Sequence, residues 1–419
     1  MTTVVIKQAT IHDTSSAFHL KKRDLKIENG IITEIFENIA TTDKDNVISQ
    51  VDLHVSNGWI DSSVSFGEPG FEDRETIENG LDVAAKSGFT TVMLQPNSNP
   101  VIDNQAMVKF VLEKAKNKAT TLLPIGALTK NSEGNDLAEL FDMKNAGAVA
   151  FGDYNKALQD ANLQKIALQY VQDFDGLVIS YCQDQSVKGK GIVNEGENAT
   201  KLGLKGIPTL AEELHVARNL FLLEYTGGKI HIPTVSTQKS VALIKEAKAK
   251  GLQVTCSVSV HHLILNDAVL SSFDSRFKVG PPLRDEATRK ALIEAVLDGT
   301  IDCITSDHNP IDIEHKKLEF DLAKDGTIGL ESAFSVLQTI LPLEVIIEKL
   351  TAAYTLFGIQ KPEIKNGNTA NLTLFTTEEE WTFTKENILS KSKNSAFLNH
   401  KMKGKALGIL NNGQLIMNN

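Results

Sequence analysis

Cysteine is scarce in this chain of 419 residues: only Cys182, Cys256 and Cys303 are present, each inside an apolar run. Their wide spacing fits neither a disulfide framework nor a Cys-x-x-Cys metal site. No run of about 18 apolar residues occurs, so we expect no membrane-spanning helix. The first residues, MTTVVIKQAT, also lack the charged and then apolar layout of a signal peptide. These absences predict a cytoplasmic protein with reduced, buried thiols.

Basic residues are not in excess, and aromatic residues make up only 6% of the chain. The formal net charge of −10 gives no electrostatic reason to expect nucleic acid or an anionic membrane as a partner. Hydrophobic residues make up 41% and charged residues 23%, as in ordinary globular proteins. A chain of this length can form one large domain and a smaller one.

Short apolar, β-branched runs alternate with helical patterns through the middle of the chain. Several of the runs are almost continuously hydrophobic, as expected of parallel strands that are buried on both faces. Eight such alternations favour an α/β fold, a (β/α)8 TIM-type barrel, over an open doubly wound sheet. The eight predicted strand regions are residues 58–66, 89–97, 122–128, 146–153, 176–184, 229–236, 253–262 and 301–310.

The two ends of the chain show a different pattern, with short strands separated by turns. Asn29-Gly30 and Asn412-Gly413 are both typical of tight β-hairpin turns. We therefore predict that residues 1–55 and 362–419 pack together as one small β-sandwich-like domain, and that residues 56–361 form the barrel.

In a barrel of this kind, functional side chains lie at the carboxyl ends of the strands. Those ends carry mostly neutral polar groups, so the residues alone favour a small polar pocket without a metal. Ser63 and Ser65 are two positions apart and should share one side of their strand. The remaining candidates are Gln95, Asn97, Asp153, Tyr181, Thr234, His261, His262, Asp307 and His308.

Seven segments, in their order along the chain, resemble the class I dihydroorotases, which are zinc-dependent cyclic amidohydrolases of pyrimidine biosynthesis. The resemblance covers essentially the whole chain. The segments are EPGFEDRETIENG (68–80), SGFTTVMLQPNSNP (87–100), VTCSVSVHHLILND (254–267), GPPLRDEATRKALIEAVLDGTID (280–302), SDHNPI (306–311), GLE (329–331) and SKSKNSAF (390–397).

The resemblance implies a metal site, but the histidine ligands of that site are replaced in this chain. In the family's Asp-x-His-x-His-x-Arg motif, both histidines are serines, and the arginine that binds the substrate carboxylate is Gly67. Two further histidine ligands are replaced by tyrosine and threonine. The ligand positions that the resemblance implies are Ser63, Ser65, Asp153, Tyr181, Thr234 and Asp307.

Some residues of the family's site remain. Asp307 corresponds to a ligand and general base, and Asp153 corresponds to one of two aspartates in the bridging motif. On the substrate side Asn97 is kept, whereas an asparagine and a histidine of the family are Gly280 and Ile311 here.

We therefore expect no bound metal and no other cofactor. Without the ion, water keeps a pKa of roughly 15.7 instead of about 7, so hydroxide would be scarce at neutral pH. The sequence predicts a non-catalytic relative in which Asp307 and Asn97 are vestigial. Similar ligand-lacking proteins serve as structural partners of aspartate carbamoyltransferase, and we expect the same role here. We also expect a homo-oligomer.

Two alternatives stay open. The chain could be an active zinc-dependent dihydroorotase, or a related cyclic amidohydrolase, with an atypical metal site. It could also be a small-molecule sensor in which Asn97 and Arg284 contact the ligand. We expect His231, His261 and His262 to be structural.

Overall fold

The computed structural model describes residues 3–418 and contains two eight-stranded sheets that divide the chain as its sequence pattern indicates. The first sheet combines strands from both chain ends in the order β3-β2-β1-β5-β16-β17-β18, with β4 beside β1. Its strands are β1 (Thr3–His12), β2 (Lys22–Glu28), β3 (Ile31–Phe36), β4 (Asn46–Ile48), β5 (His54–Asn57), β16 (Leu372–Thr382), β17 (Lys401–Asn411) and β18 (Gln414–Met417).

Both predicted hairpin turns are present. Asn29 and Gly30 join β2 to β3, and Asn412 and Gly413 join β17 to β18. All four residues have positive φ, between 51° and 80°, which tight two-residue hairpins require and which asparagine and glycine tolerate. The antiparallel pair of β5 and β16 then joins the two chain ends into one β-rich unit.

The second sheet is a barrel of eight strands, in the order β6-β7-β8-β9-β10-β13-β14-β15. A parallel bridge between Val64 and His308 closes it, and the Ser65 amide donates to the His308 carbonyl at 2.7 Å. The strands are β6 (Trp59–Val64), β7 (Phe89–Leu94), β8 (Thr121–Gly126), β9 (Ala150–Phe151), β10 (Val178–Ile179), β13 (Ile230–Ile232), β14 (Val254–Ser259) and β15 (Cys303–Thr305). A short separate pair, β11 (Val193–Asn194) and β12 (Gly206–Ile207), lies in the loop after β10.

Helices connect the barrel strands and cover the barrel. Half of them begin at a capping side chain; Thr76, for example, accepts from the Asn79 amide at the start of α1. The helices are α1 (Ile77–Lys86), α2 (Gln105–Lys114), α3 (Leu140–Ala146), α4 (Ala161–Tyr170), α5 (Gln185–Lys188), α6 (Glu197–Leu202), α7 (Leu210–Thr226), α8 (Gln238–Ala249), α9 (Val260–Ile264), α10 (Glu286–Leu297), α11 (Ile313–Lys316), α12 (Ala333–Leu337), α13 (Leu343–Thr351) and α14 (Ala353–Leu356).

Trp59 connects the barrel to the β-rich unit. Its fully buried ring lies 4.5 Å from the ring of Phe334 and 5.5 Å from that of Phe375, centre to centre. Its Nε1 donates to the Ser56 hydroxyl at 3.0 Å, so the buried indole N–H is satisfied. This aromatic cluster fixes the base of β6 and with it the strand that carries Ser63 and Ser65.

The predicted fold class, an α/β barrel with a β-rich domain built from the two chain ends, is confirmed. The exact bounds of the two domains, at residues 55/56 and 361/362, stay a prediction. All three cysteines are free and buried. Within residues 3–418 no helix is both long enough and apolar enough to span a bilayer.

Candidate functional site

Asp307 lies at the carboxyl end of β15, where the barrel opens, and is only 7% exposed. The Ser63 hydroxyl donates to Asp307 Oδ1 at 3.1 Å, and the Tyr154 hydroxyl donates to the same oxygen at 3.4 Å. Gln95 Nε2 in turn donates to Ser63 Oγ at 3.1 Å, whereas the buried Gln95 Oε1 has no partner among the described residues. The ends of β6, β7, β9 and β15 therefore converge on one carboxylate.

A second carboxylate lies beneath Asp307. Asp61 accepts from the amides of Ser63 and Ser306, both at 2.9 Å, and from the Thr305 hydroxyl. These bonds tie β6 to β15 and fix the position of Asp307. Burial raises the pKa of Asp61, and it also raises the pKa of Asp307 to about 7, with a further contribution from the Asp61 charge.

Three non-glycine residues at the barrel mouth have a left-handed backbone conformation. Tyr154, Thr234 and Asp307, at the ends of three different strands, have φ values of 55°, 49° and 47°. For threonine, a β-branched residue, such a conformation is a clear outlier. Strained residues of this kind cluster at functional sites, where the surrounding structure holds them in place.

Asp153 has a different role from Asp307. Its carboxylate accepts from the Leu128 amide at 2.9 Å and from the Thr129 amide at 3.0 Å. It also accepts from the Thr129 hydroxyl at 2.6 Å. These bonds attach β9 to the loop after β8 and commit both oxygens to the protein, so Asp153 is a structural group.

The other candidate positions bind neighbouring side chains or line the mouth. Ser65 and Asn97 form a hydrogen-bonded pair, with a distance of 2.8 Å from Asn97 Nδ2 to Ser65 Oγ. Tyr181 is 6% exposed, and burial raises the pKa of its phenol well above the usual range. The Thr234 amide donates to Ser257 Oγ at 3.3 Å.

The histidines near the mouth, His308 and His262, are buried and make no hydrogen bond to Asp307 within residues 3–418. His308 Nδ1 accepts from the Gly329 amide at 3.2 Å, so it makes no acid/base pair with its neighbour in sequence. His262 contacts Ser259 Oγ at 2.5 Å and the Pro281 carbonyl at 3.1 Å, which fixes the loop after β14. Burial lowers the pKa of both, to about 4, and keeps them neutral at pH 7.

Two further histidines are enclosed. His231 lies between the hydroxyls of Thr255, at 2.8 Å, and Ser257, at 3.1 Å. His261 is fully enclosed, and neither of its ring nitrogens has a partner in the described part of the chain.

Arg284 lies in a buried polar cluster that the sequence does not reveal. Its guanidinium donates to Ser236 Oγ, Asn194 Oδ1 and the Ile207 carbonyl, each at 3.1 Å. Glu212 lies 3.9 Å from it and accepts from the Ser236 amide at 3.0 Å. The sensor hypothesis assigned Arg284 to a ligand, but these protein contacts already occupy its Nε and Nη1 donors, and Nη2 lies beside the Glu212 carboxylate.

Sequence reasoning also missed the role of Tyr154. It follows Asp153 directly and donates to Asp307, but tyrosine at that position is outside the family pattern. The signal available was its place at a strand end, where any hydroxyl can reach the mouth.

Two cavities lie near these residues. One of about 280 Å³ is lined by Asn155, Tyr181, Lys278 and Gly280, among others. A larger and more open one, of about 1090 Å³, lies between α11 and the segment 384–399. Asp307 is on the wall of neither cavity. Several lysines on the wall of the larger cavity already donate to backbone carbonyls; Lys393 Nζ, for example, reaches those of Ile388 and Ser390 at 2.8 Å.

Comparison with known proteins identifies the family. A model of the "Dihydro-orotase-like" family matches residues 54–240. A dihydroorotase of Acetivibrio thermocellus is 40% identical over 402 residues, which cover 94% of each chain. Another, of Caldanaerobacter subterraneus subsp. tengcongensis, is 40% identical over 96% of this chain and 94% of its own. The chain belongs to the dihydroorotase family.

Solved structures agree on the fold. An L-hydantoinase (dihydropyrimidinase) from Arthrobacter aurescens superposes with a TM-score of 0.86, over all of this chain and 96% of its own, at 20% identity. A dihydropyrimidinase from Brevibacillus agri superposes with a TM-score of 0.84, also at 20% identity.

These findings correct two of the sequence-based expectations. The expectation that the chain is not an enzyme is contradicted, because curated dihydroorotases at 36–40% identity over most of its length point to a hydrolase. The expectation of no cofactor is contradicted by the same membership, because members of this family depend on a metal, typically zinc. The replaced ligand positions predicted loss of function, whereas the similarity over almost the whole chain points to a hydrolase.

The side chains at the mouth do not fit a zinc ion of the usual kind. Structural and catalytic zinc sites use histidine, cysteine and carboxylate ligands, whereas Ser63, Ser65, Tyr181 and Thr234 offer neutral hydroxyls. Both oxygens of Asp153 already accept hydrogen bonds from the protein. Across residues 3–418, no three histidine, cysteine or acidic side chains are grouped as metal ligands. The family's metal dependence and this ligand set therefore disagree.

Proposed function

We propose that this chain hydrolyses the ring amide of a dihydroorotate-type substrate at the barrel mouth, with Asp307 as the group that moves the proton. The observation that carries the proposal is the convergence of four strand ends on the Asp307 carboxylate. Family membership supplies the reaction class. We derive no step through a metal.

The residues around Asp307 are suited to general acid–base work. A carboxylate within hydrogen-bond reach of the reacting atoms can accept a proton from attacking water and return it to the leaving amide nitrogen, a contribution of roughly 10²–10⁴ in rate. Ser63 and Tyr154 hold the carboxylate in one orientation through their hydroxyl groups. Asp61 fixes the strand beneath it.

The direct test is the interconversion of dihydroorotate and carbamoyl aspartate by the purified full-length chain, assayed after supplementation with zinc. The Asp307→Asn variant keeps the shape of the side chain but cannot accept the proton. We expect it to lose about a hundredfold or more in turnover. The matched control is Asp43→Asn at an exposed position of the β-rich unit, which should leave turnover unchanged. Equal turnover in the two variants would refute the role of Asp307.

We also propose that the chain assembles with aspartate carbamoyltransferase. This proposal is supported by a stripe of exposed apolar side chains along α7: Leu210, Leu214, Phe221 and Tyr225, which are 52%, 47%, 71% and 76% exposed. The spacing of four, seven and four residues places them on one helix face, and a contiguous exposed apolar patch marks an interaction surface.

Size-exclusion chromatography with aspartate carbamoyltransferase of the same cell tests this assembly. A joint peak that is lost in a Phe221→Ser, Tyr225→Ser double variant supports it, whereas two independent peaks contradict it. The same experiment without the second enzyme tests the expected homo-oligomer. The cytoplasmic location stays a prediction from the sequence.

A further inference from the structure

We propose that Lys278 binds the carboxylate of the ring substrate, in the cavity of about 280 Å³ beside Tyr181. The inference rests on the proposed function, because it names the anchor for a substrate of that class. It concerns a residue outside the family's ligand and substrate motifs.

The cavity belongs to the barrel mouth. Tyr181, on its wall, occupies a position where the family has a metal ligand, and Gly280, also on its wall, occupies a substrate-side asparagine position. Asn155 lines it as well and directly follows Tyr154, the tyrosine that donates to Asp307. The loop after β9 therefore connects this cavity with the proposed proton acceptor Asp307, which is not itself on the cavity wall. The volume is near the lower end of what small-molecule pockets offer, about 300 Å³.

Lys278 presents an incompletely satisfied cation to this cavity. The residue is only 6% exposed, and its Nζ donates to the Asp321 carbonyl at 2.9 Å. That hydrogen bond uses one of the three donors of an ammonium group. Nζ also lies 5.7 Å from the centre of the Phe320 ring. No carboxylate lies within 4.0 Å of Nζ anywhere in the described part of the chain. A buried cation without a paired charge is costly, and a bound carboxylate would remove that cost.

The remaining charges on the cavity wall favour an anion. Lys188 and Lys324 lie on the wall with Lys278, and Asp325 is the acidic residue opposing them. Burial lowers the pKa of Lys278, while Asp325 and Asp321 act to raise it and so favour the charged form.

A buried lysine on the far side fixes the position of Lys278. Lys316 Nζ donates to the Lys278 carbonyl at 2.9 Å and to the Lys324 carbonyl at 2.8 Å. Lys316 therefore fixes the main chain at both Lys278 and Lys324, so the Lys278 side chain starts from a pre-organised backbone.

The backbone also explains why a different anchor is needed. At Gly67, where the family carries its carboxylate-binding arginine, an added Cβ would lie 1.8 Å from the Phe71 carbonyl oxygen. No side chain fits there without movement of the main chain. A positive charge for the substrate therefore has to come from elsewhere on the mouth.

Calorimetric titration of the full-length chain tests the anchor. Dihydroorotate carries the carboxylate and dihydrouracil is the same ring without it, so comparing them isolates the contribution of that group. All titrations use the Asp307→Asn background, in which the substrate is not consumed. The variants are Lys278→Met, Lys278→Arg and, as a matched control on the same wall, Lys324→Met. Circular dichroism melting confirms that each variant is folded.

We expect Lys278→Met to weaken dihydroorotate binding by roughly tenfold or more, because a charge-assisted hydrogen bond is lost. Dihydrouracil binding should not change, Lys324→Met should change affinity less than threefold or so, and Lys278→Arg should restore most of it. Three results would contradict the proposed anchor: an equal loss of affinity for both ligands in Lys278→Met, an equally large loss in Lys324→Met, or no binding of dihydroorotate at all. A different result separates the two proposals. If binding depends on Lys278 but the natural sequence shows no turnover, the anchor is supported and the proposed hydrolysis is refuted.

Discussion

Asp153 and Asp307 both follow barrel strands and both are buried, yet their surroundings differ. Asp153 accepts three hydrogen bonds from Leu128 and Thr129, two of them from backbone amides. Asp307 accepts two, both from side-chain hydroxyls, and sits on a left-handed backbone. Removing a carboxylate that accepts from backbone amides leaves those amides without an acceptor. A carboxylate that accepts only from hydroxyls can take up a proton without breaking a backbone hydrogen bond. The barrel mouth thus has a structural carboxylate at β9 and, at β15, the carboxylate that we propose to be reactive.

The largest effect that separates the two sides should come from Asp153→Ala. It leaves two buried amides and a hydroxyl without an acceptor, each at a cost of about 1–3 kcal/mol. We expect the free energy of unfolding to fall by about 3 kcal/mol or more, measured by urea denaturation at pH 7. The matched variant Asp307→Ala should cost clearly less. The reverse order would remove the distinction between the two carboxylates.

The next effect is the pH dependence of stability. Burial raises the pKa of Asp307 from 3.8 to about 7 in the folded chain. The folded chain therefore keeps this proton after the unfolded chain has released it. The resulting contribution to stability is fully present below pH 3.8 and is lost as the pH rises through 7.

Between pH 5 and pH 8 this single group should lower the free energy of unfolding by about 2–3 kcal/mol. In Asp307→Asn this decrease in the free energy of unfolding should be absent. The variant should therefore become more stable relative to the natural chain as the pH rises. Denaturation curves at several pH values, with a chelator present, measure it. Parallel pH profiles for the two chains would show that Asp307 is already ionised at pH 5.

The smallest effect should come from the hydroxyl that orients Asp307. Ser63→Ala removes the 3.1 Å bond to its carboxylate and should cost about 1 kcal/mol. It should also raise the pKa of Asp307, because a bond to the charged form is lost. Ser65→Ala, which removes a bond to Asn97 instead, should leave that pKa unchanged. Carbon-13 NMR of the labelled aspartate side chains distinguishes the two variants.

Much of the fold could be predicted because its signals are local. Apolar runs such as the one at Phe89–Leu94 are buried over their whole length, which parallel barrel strands require. The Asn-Gly pairs likewise specify their turns through backbone conformation alone. The joining of the two chain ends could be expected only from their similar patterns, since the pairing of β5 with β16 spans more than three hundred residues.

The site was harder to predict because it depends on contacts between strands that are distant in sequence. The motif positions located Ser63, Asp153 and Asp307, but not the hydroxyl of Tyr154 that reaches across the mouth. Nor did they show that Arg284 is bound within the protein or that Lys278 faces a cavity. The expectation of inactivity was wrong for a related reason. The replaced ligand positions indicate a loss of metal binding, but they do not show the similarity to dihydroorotases over almost the whole chain.

The account depends most directly on whether Asp307 moves the proton in ring hydrolysis. The deciding measurement is the turnover of dihydroorotate by the zinc-supplemented full-length chain, compared between the natural sequence and Asp307→Asn at pH 8. We predict measurable turnover in the natural chain and a loss of about a hundredfold or more in the variant. No turnover in the natural chain, or the same turnover in both, would contradict the account.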